Sequence, residues 1–222
     1  MDTKEKIEKV FKGIEGELKD LTRETGELRI LFKFDGEQIF VKVNEGGVHF
    51  NSLKEVSNEI ISSRKAIEEL LNGERALIDL LRSKELKVKG KLGNLMALLK
   101  VLNKHGIRSG MESSSLCQVL GAVFNNICNE NEEVMKSVSK YKAVFELGSN
   151  EESCCLTIDS KFNLESGKCL KPVAKIYTSK ETWEKIFNGE ENIGMVAMKG
   201  KVKIEGNLLQ AFKLKTIIDK II

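Results

Sequence analysis

Glu59–Glu74, EIISSRKAIEELLNGE, and Lys175–Glu190, KIYTSKETWEKIFNGE, align without a gap, residue 59 falling on 175 at an offset of 116. The same offset carries Leu86-Lys87-Val88-Lys89-Gly90 onto Val202-Lys203-Ile204-Glu205-Gly206, then Leu92 onto Leu208 and Leu98 onto Leu214. Near the start of each half, Val10-Phe11-x-x-Ile14 falls on Val123-Phe124-x-x-Ile127 at an offset of 113. About three residues have therefore been gained in the loops between, where insertions are tolerated. Self-similarity at a fixed period decides how the rest is read: the chain is two copies of one unit. Its 222 residues suffice for two small domains that each fold alone.

Periodicity gives the unit its elements. In the first copy Ile7, Val10, Phe11, Ile14 and Leu18 recur at helical spacing and predict one amphipathic helix over residues 4–21. Residues 27–34 and 38–43 alternate apolar with polar around Asp35-Gly36, a hairpin signal. Short strands are expected at 48–50 and 59–62, then a helix over 64–71 stopped by Asn72-Gly73, a strand over 85–89 and a closing helix from Lys91. The second copy repeats the order, with strands at 141–147, 153–158, 173–178 and 201–205, a helix over 180–187 and a final helix to the C-terminus. Ile107–Leu116, IRSGMESSSL, is serine-rich and aperiodic and predicts a linker, giving domains 1–106 and 117–222.

Composition bounds the function. Hydrophobic residues make up 41% and charged residues 31%, enough for a core, and no apolar run approaches a membrane span. The charged N-terminal stretch lacks a signal peptide's apolar centre, which predicts a cytoplasmic protein. Net charge is +3 with the two signs interleaved, so a nucleic-acid partner is not expected, while mild attraction to an anionic membrane surface is allowed. Five cysteines in the second half, odd in number and irregularly spaced, read as reduced thiols. Cys154 and Cys155, adjacent on a strand, project to opposite faces and cannot act as one dithiol. His49 and His105 stand apart from each other and from the cysteines, so no metal is expected. Gly90 and Gly206 lie between strand and helix without a phosphate-loop pattern around them; they read as tight turns, and no cofactor is expected. No nucleophile, base and orienter set stands out, so no enzyme is predicted.

The second copy resembles the sterol carrier, or non-specific lipid-transfer, domain family. The residues that carry the likeness are Gly200-Lys201-Val202-Lys203-Ile204-Glu205-Gly206-Asn207 with Leu214, preceded by the helix and turn of Thr178–Glu190. The first copy keeps Lys87-Val88-Lys89-Gly90 and Asn72-Gly73-Glu74 but has Lys84 in place of Gly200 and Lys91 in place of Asn207. The resemblance implies two tandem α+β domains, each a mainly antiparallel sheet of about five strands covered by helices, with an apolar tunnel that accepts lipids.

The closing helices fit such a tunnel. At 100° per residue Leu208, Ala211, Phe212, Leu214, Ile217, Ile218, Ile221 and Ile222 cover roughly 220°, about twice an ordinary surface stripe. Leu92, Leu95, Met96, Leu98, Leu99, Val101 and Leu102 do the same in the first copy. One face can cover the sheet; a ligand, the other copy or a second chain must cover the remainder. Trp183, Ile186, Phe187, Met195 and Met198, with Leu208, Ala211 and Phe212, are the expected tunnel lining of the second copy, and Leu70, Leu71, Leu95, Met96 and Leu99 that of the first. The alternative reading is an interaction or structural module whose cores have closed without a ligand.

Overall fold

Asp2 stops the chain from fraying at its first helix. Its carboxylate accepts from the first turn while Glu5 reaches back to the Asp2 N–H at 3.1 Å, a capping box. In this computed structural model, which describes residues 2–50 and 55–222, that helix is α1 (Thr3–Gly13). It ends earlier than expected. Ile14 leaves helical geometry at φ −117° and ψ 19°, and α2 (Glu15–Thr25) begins again, so the single helix predicted over 4–21 is two. Gly13 and Gly16 flank the break, and glycine resists helix propagation. Ile7, Phe11, Ile14 and Leu18 still share a buried face, with Val10 half-buried.

The first unit, Met1–Glu112, continues with β1 (Leu28–Phe34), β2 (Glu37–Asn44), β3 (Gly47–His49), β4 (Asn58–Ser62), α3 (Arg64–Leu71), α4 (Leu77–Arg82), β5 (Leu86–Gly90) and α5 (Leu92–Asn103). Asp35 and Gly36 turn the β1–β2 hairpin with positive φ at both positions. The sheet order is β3-β2-β1-β4-β5. Neighbours are antiparallel except β1 and β4, which run parallel with Phe32 opposite Ile60. Ile30, Phe32, Phe34, Ile39, Val41, Ile60 and Val88 are buried on one face, whereas the other carries Lys33–Glu59 and Lys42–Glu27 ion pairs at 3.0 and 2.9 Å.

The second unit, Ser113–Ile222, opens on the same device: Ser115 and Gln118 form a capping box on α6 (Leu116–Gly121). The helix widens into a π-helical stretch over Ala122–Cys128, then α7 (Glu132–Val138) follows. Next come β6 (Lys142–Gly148), β7 (Ser153–Asp159), β8 (Phe162–Ser166), β9 (Ala174–Tyr177), α8 (Lys180–Phe187), α9 (Ile193–Met198), β10 (Lys203–Gly206) and α10 (Leu208–Ile218). The order β8-β7-β6-β9-β10 and the parallel pairing of β6 with β9 repeat the first sheet strand for strand. Asn125 and Asn129 each exchange two hydrogen bonds with the backbone of β8, at Leu164 and Phe162, fastening the π-helical stretch to the sheet edge.

Each sheet is thus mixed, five-stranded and α+β. The units divide inside the expected linker, yet much of that segment is structured: the Leu77 and Ile78 N–H groups donate to Arg108 and Ser109, Ile107 is buried, and Ser115 is a cap. Lys84, a departure from the family pattern, takes φ 60° where Gly200 takes 71°, so the backbone turn survives the substitution. The reading of reduced cysteines is corrected: Cys117 bonds Cys154 and Cys155 bonds Cys169. Cys154 and Cys155 do face opposite ways, and each finds its own partner. Separations of 37 and 14 residues carry no recognisable spacing, and only the fold brings the partners together. Cysteine usage therefore no longer argues for a reducing compartment. Cys128 is free and buried, and burial pushes its thiol pKa up. Among the described residues no helix is long and apolar enough to cross a membrane.

Candidate ligand-binding face

The wide apolar arc of α10 is divided by the fold. Ala211, Leu214, Ile217 and Ile218 are buried, and the helix packs on β9 and β10. Leu208 and Phe212 lie on the remainder and are exposed, Leu208 to 55% and Phe212 to 57%, as is Leu209 beside the arc. Met195 and Met198 on α9 are exposed too, Met198 to 89%. The two helices are neighbours: a Cβ added at Gly194 would lie 3.0 Å from the Lys215 side chain. Five large apolar side chains thus stand exposed on two helices that approach each other at Gly194 and Lys215, and water covers them at a cost.

The corresponding place in the first unit differs: Asp79 and Arg82, exposed and charged, stand where Met195 and Met198 do, and the apolar side chains beside them are buried. Leu92 stands where Leu208 does and is 2% exposed; Met96 stands where Phe212 does and is 5% exposed. Side-chain volume explains part of the contrast. At the same offset Ile78, Leu81 and Leu95, all buried, become Gly194, Ala197 and Ala211. Leu99 becomes Lys215, whose ammonium pairs with Asp219. Val88 of β5 is buried, while its counterpart Ile204 on β10 is only half-buried. In addition α2 packs along α5, and Glu17 contacts His105 and Lys104 at 2.8 and 3.6 Å just beyond it.

Trp183, Ile186 and Phe187 sit elsewhere. They are buried on α8, where the Trp183 ring stacks on Phe187 at 5.9 Å and its Nε1 donates to the Gly148 carbonyl at 3.1 Å. Gly148 has no room for a side chain, because a Cβ there would meet the Tyr177 ring at 2.5 Å. These three are buried, while Met195, Met198, Leu208 and Phe212 are exposed; Ala211 belongs to the buried side of α10. In the first unit Leu70, Leu95, Met96 and Leu99 are buried, and Leu71 is half-buried on a separate groove. Sequence reasoning missed α9 as a helix, since six residues are too few to show a period, and missed Leu209, which lies beyond the helical arc it counted.

The outer face of the second sheet holds a buried carboxylate, Glu146. Burial alone would raise its pKa, but the Tyr177 hydroxyl, the Cys169 N–H at 3.1 Å and the charges of Lys175 and Lys168 hold it below the usual carboxylate range. The Cys155–Cys169 disulfide ties the same connection between β8 and β9 down on this face. The Val173 N–H then donates to Val144, and its carbonyl accepts from the N–H of Asn207, the residue that caps α10.

Residues 124–219 match the SCP-2 sterol transfer family. The SCP-2 match falls within the second unit and includes α8, α9, β10 and α10. Among solved structures, a palmitated SCP2L2 from Aedes aegypti is similar at 19% identity over 39% of this chain and 88% of its own, with a TM-score of 0.34. The apo sterol carrier protein 2 from Yarrowia lipolytica is similar at 21% identity over 50% of this chain and 93% of its own, with a TM-score of 0.38. The inverting sec-alkylsulfatase Pisa1 from Pseudomonas sp. shares 12% identity over 59% of this chain but only 20% of its own length, with a TM-score of 0.39. Comparison with curated proteins gives no match.

Proposed function

We propose that the second unit binds a lipid or similar apolar ligand against α9 and α10, without catalysis, and that the first unit is a divergent tandem copy whose corresponding site has closed. The observation that carries the reading is the open apolar face of Met195, Met198, Leu208, Leu209 and Phe212. The SCP-2 match of the same unit supports lipid as the ligand class. Methionines at this face suit ligands of varied shape, because the unbranched thioether chain adapts to its neighbour. Each methylene taken from water contributes about 0.8 kcal/mol, so affinity rises with chain length until the face is covered.

Matching strand order, capping boxes at residues 2 and 115, and left-handed turns at Lys84 and Gly200 support the tandem relationship. Titration with a fluorescent acyl-chain analogue tests the reading: saturable binding is expected, weakened in Phe212→Ala with melting unchanged. Absence of saturable binding for fatty acids, acyl-coenzyme A, phospholipids and sterols leaves the protein-interaction module in its place. Native mass spectrometry of the purified chain, searching for a co-purified apolar adduct, gives an independent readout.

A further inference from the structure

The first unit has an opening at a place whose counterpart residues in the second are buried. A groove of about 340 Å³ lies between α1, the end of α3 and the segment after α5, within the size range of small-molecule sites. Val10, Ile14 and Leu71 line it with Ile107, and Lys6, Lys9 and His105 supply its polar atoms together with Asn72. No acidic side chain lines it.

The two repeat offsets show what made the groove. At an offset of 113 Lys6 and Lys9 correspond to Val119 and Ala122; at 116 Leu71 and His105 correspond to Phe187 and Ile221. All four counterparts are buried. The second unit therefore fills this place with apolar side chains, and the first has replaced one large ring with leucine and three apolar residues with Lys, Lys and His. Loss of volume alone would leave an apolar hollow. The accompanying change of charge leaves one cation unspent: Lys6 is paired with Glu68 at 3.3 Å and His105 contacts Glu17 at 2.8 Å. Lys9 has no acidic partner among the described residues and is exposed at the groove.

We infer that this groove binds a small organic anion, a carboxylate or phosphate head carried on a short apolar body, with the head on Lys9 and the body against Val10, Ile14 and Leu71. The short body separates this ligand from the long-chain one proposed for the other unit. An ammonium at the mouth of an apolar groove favours the anion and gives a neutral analogue nothing in return.

Methyl-detected NMR of the whole chain tests it, titrated with octanoate and octyl phosphate, and with octanol and octyltrimethylammonium as neutral and cationic controls. Both anions are expected to shift the Val10, Ile14, Leu71 and Ile107 methyls saturably, octanol about tenfold more weakly, and the cation not at all. The tighter of the two anions names the head group. Lys9→Ala, which installs the residue of the second unit at an exposed position, should weaken the anions about tenfold with melting unchanged. Equal affinity for octanol, unaltered anion affinity in Lys9→Ala, or silence at these methyls would each overturn the inference. The reporting methyls all belong to the first unit, so such a failure leaves the reading of α10 standing.

Discussion

The helices α5 and α10 each begin two residues after a glycine of positive φ, at Gly90 and Gly206, and each follows the last strand of its sheet. Their surroundings then diverge. α5 buries the whole of its wide apolar arc, whereas α10 buries one side and leaves Leu208, Leu209 and Phe212 in water. At the opposite helices the relation is reversed, with Phe187 and Ile221 closing the second unit where Leu71 and His105 leave the first one open. A shared backbone thus carries two different openings, each placed by the size and charge of a few side chains. Closure is a property of local volume, not of fold.

The largest way to break the comparison is through the cysteines, all of which lie in the second half. Reducing Cys117–Cys154 and Cys155–Cys169 should destabilise the second unit by about 2–5 kcal/mol and leave the first untouched. Hydrogen exchange read unit by unit checks this; equal loss of protection in both would mean that the units do not respond separately.

Next in size is Leu95→Ala, which gives α5 the residue that α10 has at Ala211. Loss of a fully buried leucine should cost about 2–5 kcal/mol in urea denaturation, because the surrounding core relaxes only partly. A loss below that range would indicate that the first unit already holds a void. The common element order of the two units was legible in the sequence because helix caps and strand alternation need particular residues at particular spacings. Asn72-Gly73 and Asn188-Gly189 stop α3 and α8 as expected, and both of those helices span the expected residues. The opening of the site was not legible. Leu92 and Leu208 are the same residue type, and what distinguishes their surroundings, Gly194 and Ala197 on one helix with Ala211 and Lys215 on another, comes together only in the fold. The disulfides were hidden for the same reason, since the strand register that unites them is not local.

A smaller effect sharpens the contrast between the outer faces. By the parallel pairings, Leu31 opposite Glu59 takes the place of Glu146 opposite Lys175. Glu146→Gln should cost about 1–3 kcal/mol at neutral pH by weakening the bonds from Tyr177 and Cys169. The folded-state pKa of Glu146 is lowered, so its contribution is fully present above the ordinary carboxylate range. It is lost as pH falls through the lowered value. Melts of wild type and variant should therefore converge in acid; a difference independent of pH would assign the cost to packing instead.

The smallest change is Phe212→Leu, expected to alter stability by less than about 0.5 kcal/mol because the ring is exposed, while affinity for an acyl probe shifts. Met96→Leu, at the buried counterpart, should cost more, up to about 1.5 kcal/mol, with no change in probe affinity. A stability loss at Phe212 as large as that at Met96 would remove the distinction between the two helices.

The most direct measurement is NMR of the whole chain with a spin-labelled fatty acid, following methyl signals on both closing helices. The account predicts saturable broadening at Met195, Met198, Leu208 and Leu209 and none at Leu92, Leu95 or Met96. Equal broadening on α5 and α10, or none on either, would contradict the claim that one copy has kept an open lipid face and the other has closed it.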